Sequence, residues 1–151
     1  MIIDYNVNSK IDISIFEDYD AGDHYKYETN AKVTWNILNV EILEDTIKFK
    51  VVRTSEDDQP SEVYDNSDNC GYYTIKCNMT FWFTISKNAI NESLRQHDSV
   101  KAEILDCSDI STELIDAKYV SGAKLSKEQI VDFLDGPTFE GESILVSAEI
   151  V

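Results

Sequence analysis

Proline and glycine are scarce in this chain, with two Pro and five Gly among 151 residues. No Gly/Ser/Pro-rich linker, repeat or low-complexity tract divides it, so residues 1–151 read as a single domain. Basic residues are also few: 13 Lys and Arg stand against 29 Asp and Glu, a formal net charge of −16. A protein that grips nucleic acid directly displaces counterions with a basic footprint. This chain is net negative in every successive block of thirty residues, so no direct nucleic-acid binding is expected. No apolar run approaches the ~18 residues of a membrane span, and the charge repels anionic lipid. The start, MIIDYNVNSKIDIS, lacks the basic end, apolar core and small-residue cleavage site of a signal peptide. A cytoplasmic protein without membrane contact is the expectation.

Cysteine is the next shortage. Cys70, Cys77 and Cys107 are an odd number, which argues against a complete disulfide framework. Together with His97 they make four possible zinc ligands, but no pair has the spacing of a structural zinc site. The stretch Asp65-Asn66-Ser67-Asp68-Asn69-Cys70-Gly71 holds oxygen ligands but no EF-hand register, and reads as a polar turn. No metal and no cofactor is expected. The chain has no G-x-S-x-G, Walker loop, G-x-G-x-x-G or H-E-x-x-H. Nothing local marks Cys107 as a thiol activated by His97. With 29 carboxylates, some pairs fall at glycosidase spacing by chance. These observations point away from an enzyme.

What is present is β pattern. Ile11, Ile13 and Ile15 alternate with polar residues, the period of a half-buried strand. Val33, Trp35 and Ile37 set one parity and Leu38, Val40 and Ile42 the other, which predicts a β-bulge near Ile37–Leu38. Glu44-Asp45 then breaks the pattern before Thr46–Val52, so the two runs form a hairpin. Tyr72–Ile85 is the longest β-prone run and has apolar groups on both faces at Phe81-Trp82-Phe83, as a central strand would. Val100–Leu105 and Ser143–Val151 alternate as later strands. A helix follows Ser126, where Ser126-Lys127-Glu128-Gln129 matches a capping box and Gly136-Pro137 supplies a stop. Another spans about Lys87 to His97, and a third turn at Ser111–Ala117 competes with strand. The fold class expected is α+β: mainly antiparallel β, as a sandwich or highly twisted sheet, with two or three short helices packed at one face or end.

Acidic clusters are the feature that bears on function. Glu17-Asp18-Tyr19-Asp20-Ala21-Gly22-Asp23 holds four acids, and Thr54–Ile75 holds Glu56, Asp57, Asp58, Glu62, Asp65 and Asp68 with no base. Thr54–Cys70 reads as a long loop, and loops of that length tend to be functional. Tyrosines accompany the acids, and Tyr suits interface centres. A solvating surface explains much of such charge. A DNA mimic would need about 22 charges along a rod of this domain's ~38 Å diameter, so mimicry requires the acids to gather on one face. The leading expectation is an inhibitor or immunity-type protein. It would set Glu56, Asp57, Asp58, Tyr64, Asp65 and Asp68, with Glu17, Asp18, Tyr19 and Asp20, against the basic site of a nuclease or other nucleic-acid-handling enzyme. A β-rich small-ligand binder or enzyme is the first alternative, its pocket lined by Trp35, Trp82, Phe81, Phe83 and Tyr73. An assembly module of a phage or secretion system, joined through an edge strand, is the second.

Overall fold

The computed structural model describes residues 2–5, 9–18, 31–65, 69–135 and 139–151. Nine strands and two helices lie among them: β1 (Ile2–Tyr5), β2 (Ser9–Glu17), β3 (Ala31–Ile42), β4 (Thr46–Asp57), β5 (Ser61–Asp65), β6 (Asn69–Ser86), α1 (Lys87–Gln96), β7 (Val100–Glu103), β8 (Asp106–Gly122), α2 (Lys127–Asp135) and β9 (Ser143–Ile150). Every strand pairing is antiparallel. One sheet runs β1-β2-β9-β7. In the other, β6 is central: β4 and then β5 follow one of its edges, β8 follows the other, and β3 lies outside β4. The chain is thus mainly antiparallel β with two short helices, as the patterning indicates.

Period-2 alternation builds the core. Ile11, Ile13 and Ile15 of β2 meet Ile144, Val146 and Ala148 of β9 in one inner face. Ile47, Phe49 and Val51 of β4 and Met79, Phe81, Phe83 and Ile85 of β6 form the facing layer, with Ala89 and Ile90 of α1 beside them. Residues of the same parity nearer the start of β6, Tyr73, Ile75 and Cys77, enter a second cluster with Val63 and with Ile130, Phe133 and Leu134 of α2. One long strand therefore serves two cores, the first closed by the other sheet and the second by a helix.

The bulge foreseen at Ile37–Leu38 is present, because the β3–β4 register shifts between Ile37 and Asn39. An extra residue in one strand has no partner across the ladder, and Leu38 stands 51% exposed there. The capping box also forms: Ser126 N–H donates to Gln129 Oε1 at 2.8 Å, and Gln129 N–H donates to Ser126 Oγ at 3.1 Å. Two expectations are corrected. Thr54–Cys70 is not a long loop, since β4 runs on to Asp57 and β5 starts at Ser61. Ser111–Ala117 is not helical either but lies inside β8, where Leu114 and Ala117 pack on the second core. At the end of β8 Gly122 has φ +80° and sits opposite Gly71. A Cβ on Gly71 would come within 2.2 Å of the Ala123 carbonyl oxygen, so the tight closure there requires glycine.

Candidate protein-binding surface

The acids singled out by composition divide into two groups once strand parity is known. Glu17 continues the inward phase of Ile11, Ile13 and Ile15 and is buried. Its Oε1 accepts from Arg53 Nε at 2.5 Å and from Trp35 Nε1 at 3.1 Å, which ties one sheet to the other. The Arg53 guanidinium also lies over the Phe139 ring, 5.5 Å from its centroid. Asp18 is buried too, with Lys101 Nζ 3.1 Å from Oδ2.

Asp57 repeats this on β4. Ladder pairing of β4 with β6 ends at Glu56–Lys76, and that of β5 begins at Ser61–Tyr73, so Thr74 and Ile75 fall in a gap between the two strands. Asp57 Oδ2 fills it by accepting from Ile75 N–H at 3.0 Å and from Ser61 Oγ at 2.9 Å. An amide left unpaired at such depth would cost about 1–3 kcal/mol. Burial and internal partners thus correct the expectation for Glu17, Asp18 and Asp57: they hold the fold together and present no contact surface. Tyr19, Asp20 and Asp68 lie outside the described residues.

The second group is on the surface. Glu56, Asp58, Glu62 and Tyr64 are exposed and Asp65 is half-buried. Register places Glu56 beside Lys76, Glu62 beside Tyr72 and Tyr64 beside Cys70, so these side chains share the outer face of the β6 sheet. Tyr64 and Tyr72 are 47% and 42% exposed. The Tyr64 ring packs edge-on against Phe133 of α2, with centroids 4.8 Å apart. Gln129 joins the same helix to β5, its Nε2 donating to Asp65 Oδ2 at 2.7 Å while its Oε1 serves the capping box. Docking α2 in this way brings its exposed Glu128 and Asp132 to the same end of the molecule as β5.

Register also tempers the charge. Glu56 stands in a cross-strand row that reads Lys32, Glu56, Lys76, Asp116, so two lysines flank it. The segment that has no base in sequence has bases beside it in the sheet. Glu62, by contrast, stands in a row that reads Glu62, Tyr72, Ser121 and holds no base, and Asp58, Glu128 and Asp132 are exposed. Glu62 Oε1 accepts from Cys70 Sγ at 3.1 Å, and that bond is the main reason the Cys70 thiol is pushed above its ordinary pKa.

The aromatic residues proposed for a pocket do not line one cavity. Phe81, Phe83 and Tyr73 are core, and Trp82 stands on the outer face with Lys48 Nζ 5.1 Å from its ring centroid. Trp35 does reach a cleft of about 470 Å³ between β2 and β3, lined by residues such as Ile13, Ile15, Glu17, Val33 and Ile37. Among the described residues no group of three or more His, Cys, Asp or Glu is placed to hold a metal ion. No described helix is long and apolar enough to cross a membrane. A scan against protein-family models and searches of curated proteins and solved structures find no match to the chain.

Proposed function

We propose that the protein is a binding inhibitor of the immunity type, which covers the basic site of a partner such as a nuclease or other nucleic-acid-handling enzyme. The observation that carries this reading is the grouping of exposed Glu62 with the half-exposed rings of Tyr64 and Tyr72 on the outer face of the β6 sheet, beside exposed Asp58 at the end of β4, with Glu128 and Asp132 exposed on the neighbouring helix. Tyrosine gives large contact area at small entropic cost, and the surrounding acids steer a basic partner and fix its orientation. Glu128 and Asp132 are four residues apart on the exposed side of α2. Such like-charge pairs weaken a helix by a few tenths of a kcal/mol, so they add to the acidic field at some cost in stability.

The test is competition. A basic nucleic-acid-binding enzyme retained by the immobilised protein should be released by duplex DNA and should be retained far less by Asp58→Lys/Glu62→Lys. Retention that duplex DNA leaves unchanged would contradict a partner whose nucleic-acid site is covered.

The cleft beside Trp35 favours one other reading, a small-ligand site. Its walls combine apolar side chains such as Ile13, Ile15, Val33 and Ile37 with Ser14, Thr34, Asn36 and the buried Glu17, a mixture that small-ligand sites use for orientation. Glu17 is already held by Arg53 and Trp35, which leaves the cleft less polar capacity than its lining suggests.

A further inference from the structure

We propose that the outer edge of β8 takes up an extended strand of the partner in which basic residues alternate with apolar ones; this rests on the reading of the protein as a binder of basic partners and adds how such a partner docks. β8 runs from Asp106 to Gly122 and pairs with β6 along one edge. Among the described residues no strand lies beside its other edge. Backbone groups on an unpaired edge are a template for strand addition.

Register defines what such a strand must carry. On the outer face β8 presents three exposed acids, Asp106, Glu113 and Asp116, and one exposed base, Lys118, opposite Thr84, Asn78, Lys76 and Thr74 of β6. On the inner face it presents Leu114 and Tyr119, opposite Cys77 and Tyr73. Leu114 is half-buried and Tyr119 is 43% exposed, so the apolar layer of the second core is incomplete along this edge. Ile115 and Val120 stand where the β6–β8 register shifts and are 46% and 51% exposed. A strand added here would meet a row of three acids and one lysine with one parity and uncovered apolar groups with the other. Lys or Arg alternating with Val, Ile or Leu answers both requirements.

The same charges disfavour pairing with a second copy of this chain in the register centred on Ser111. In an antiparallel pair centred on Ser111, Asp106 would face Asp116 and Asp109 would face Glu113, and like charges directly opposite destabilise a sheet. The register shifts divide the edge into stretches such as Ser111–Leu114 and Asp116–Tyr119. Bulges of this kind limit indefinite edge-to-edge pairing while leaving room for a short strand of ordinary length.

The probe is a synthetic peptide in which Lys and Val alternate, compared with a peptide of equal composition whose Lys and Val are in separate blocks. Residue-resolved amide hydrogen exchange is followed on the full chain. The alternating peptide should slow exchange at amides of Ser111–Tyr119 that β6 leaves free, and the block peptide should not. Glu113→Lys/Asp116→Lys should weaken binding at least tenfold, whereas Asp58→Lys/Glu62→Lys should keep the β8 protection. Equal protection by both peptides, protection confined to the Tyr64–Tyr72 surface, or no protection would overturn the proposal. So would protection of β8 by dimerisation without peptide. Loss of partner binding in Asp58→Lys/Glu62→Lys bears on the surface reading alone, so the two ideas can fail separately.

Discussion

Arg53 Nε lies 2.5 Å from Glu17 Oε1 in the buried layer between the sheets, with side chains 4% and 6% exposed. Removing one member of a buried ion pair leaves the other charged and desolvated, at about 3–5 kcal/mol, whereas replacing both by apolar residues is often neutral. Glu17→Ala should therefore lower stability by ~3–5 kcal/mol in urea unfolding. Glu17→Leu with Arg53→Met should regain most of the loss. Equal destabilisation by the single and double variants would show that the pair does not act as a unit.

Asp57 gives a second, independent expectation. Asp57→Ala removes the acceptor for Ile75 N–H and Ser61 Oγ and should cost about 1–3 kcal/mol. The Ile75 amide should also exchange faster with solvent than in the unaltered protein. Exchange at Ile75 that is unchanged in the variant would contradict the role given to Asp57 in the gap between β4 and β5.

At the start of α2, Ser126→Ala should cost about 1 kcal/mol through loss of the cap on Gln129 N–H. Gln129→Ala should cost more, because Gln129 also holds Asp65. Thermal unfolding of the two variants decides the order; equal losses would remove the Asp65 tether from the account.

Cys107 titrates above the ordinary thiol range, chiefly because it is half-buried and further because Asp106 and Glu140 are nearby; a backbone hydrogen bond at Phe139 opposes the shift. The native thiol keeps its proton where the unfolded chain's thiol, near pKa 8.5, has lost it. Its contribution to stability is therefore full below that pH and declines as the pH rises past it. Alkylation at pH 8 should be slower for Cys107 than for the same thiol in the urea-unfolded chain, and Cys107→Ser should flatten the decline above pH 8.5. Equal alkylation rates in the folded and unfolded protein would contradict this.

Much of the fold was legible in the period-2 phase, down to the bulge at Leu38 and the reciprocal cap of Ser126 and Gln129. Phase also carried information that composition obscured. The parity of Ile11, Ile13 and Ile15 leads directly to Glu17, and that of Ile47, Phe49 and Val51 leads to Arg53, Ser55 and Asp57, all of which are buried. Counting acids grouped Glu56, Asp57 and Asp58 together, although a strand sends neighbours to opposite faces. The lysines beside Glu56 were not visible because Lys32 and Lys76 reach it only through strand pairing. Polar and turn-forming residues hid β5, whose burial comes from α2, a partner distant in sequence. The edge position of β8 is hidden for a similar reason, since which strand ends a sheet is set by pairing across the whole chain.

The central claim is that the acidic end around Tyr64 and Tyr72 docks a basic partner by electrostatic steering. The most direct measurement is the association rate constant with the retained basic enzyme, from low salt up to about 0.15 M, where the screening length falls to ~8 Å. The account predicts a rate that falls at least tenfold over this range, and that is already low and nearly salt-independent in Asp58→Lys/Glu62→Lys. A rate unaffected by salt in the unaltered protein, or an equally steep dependence in the charge-reversed one, would contradict it.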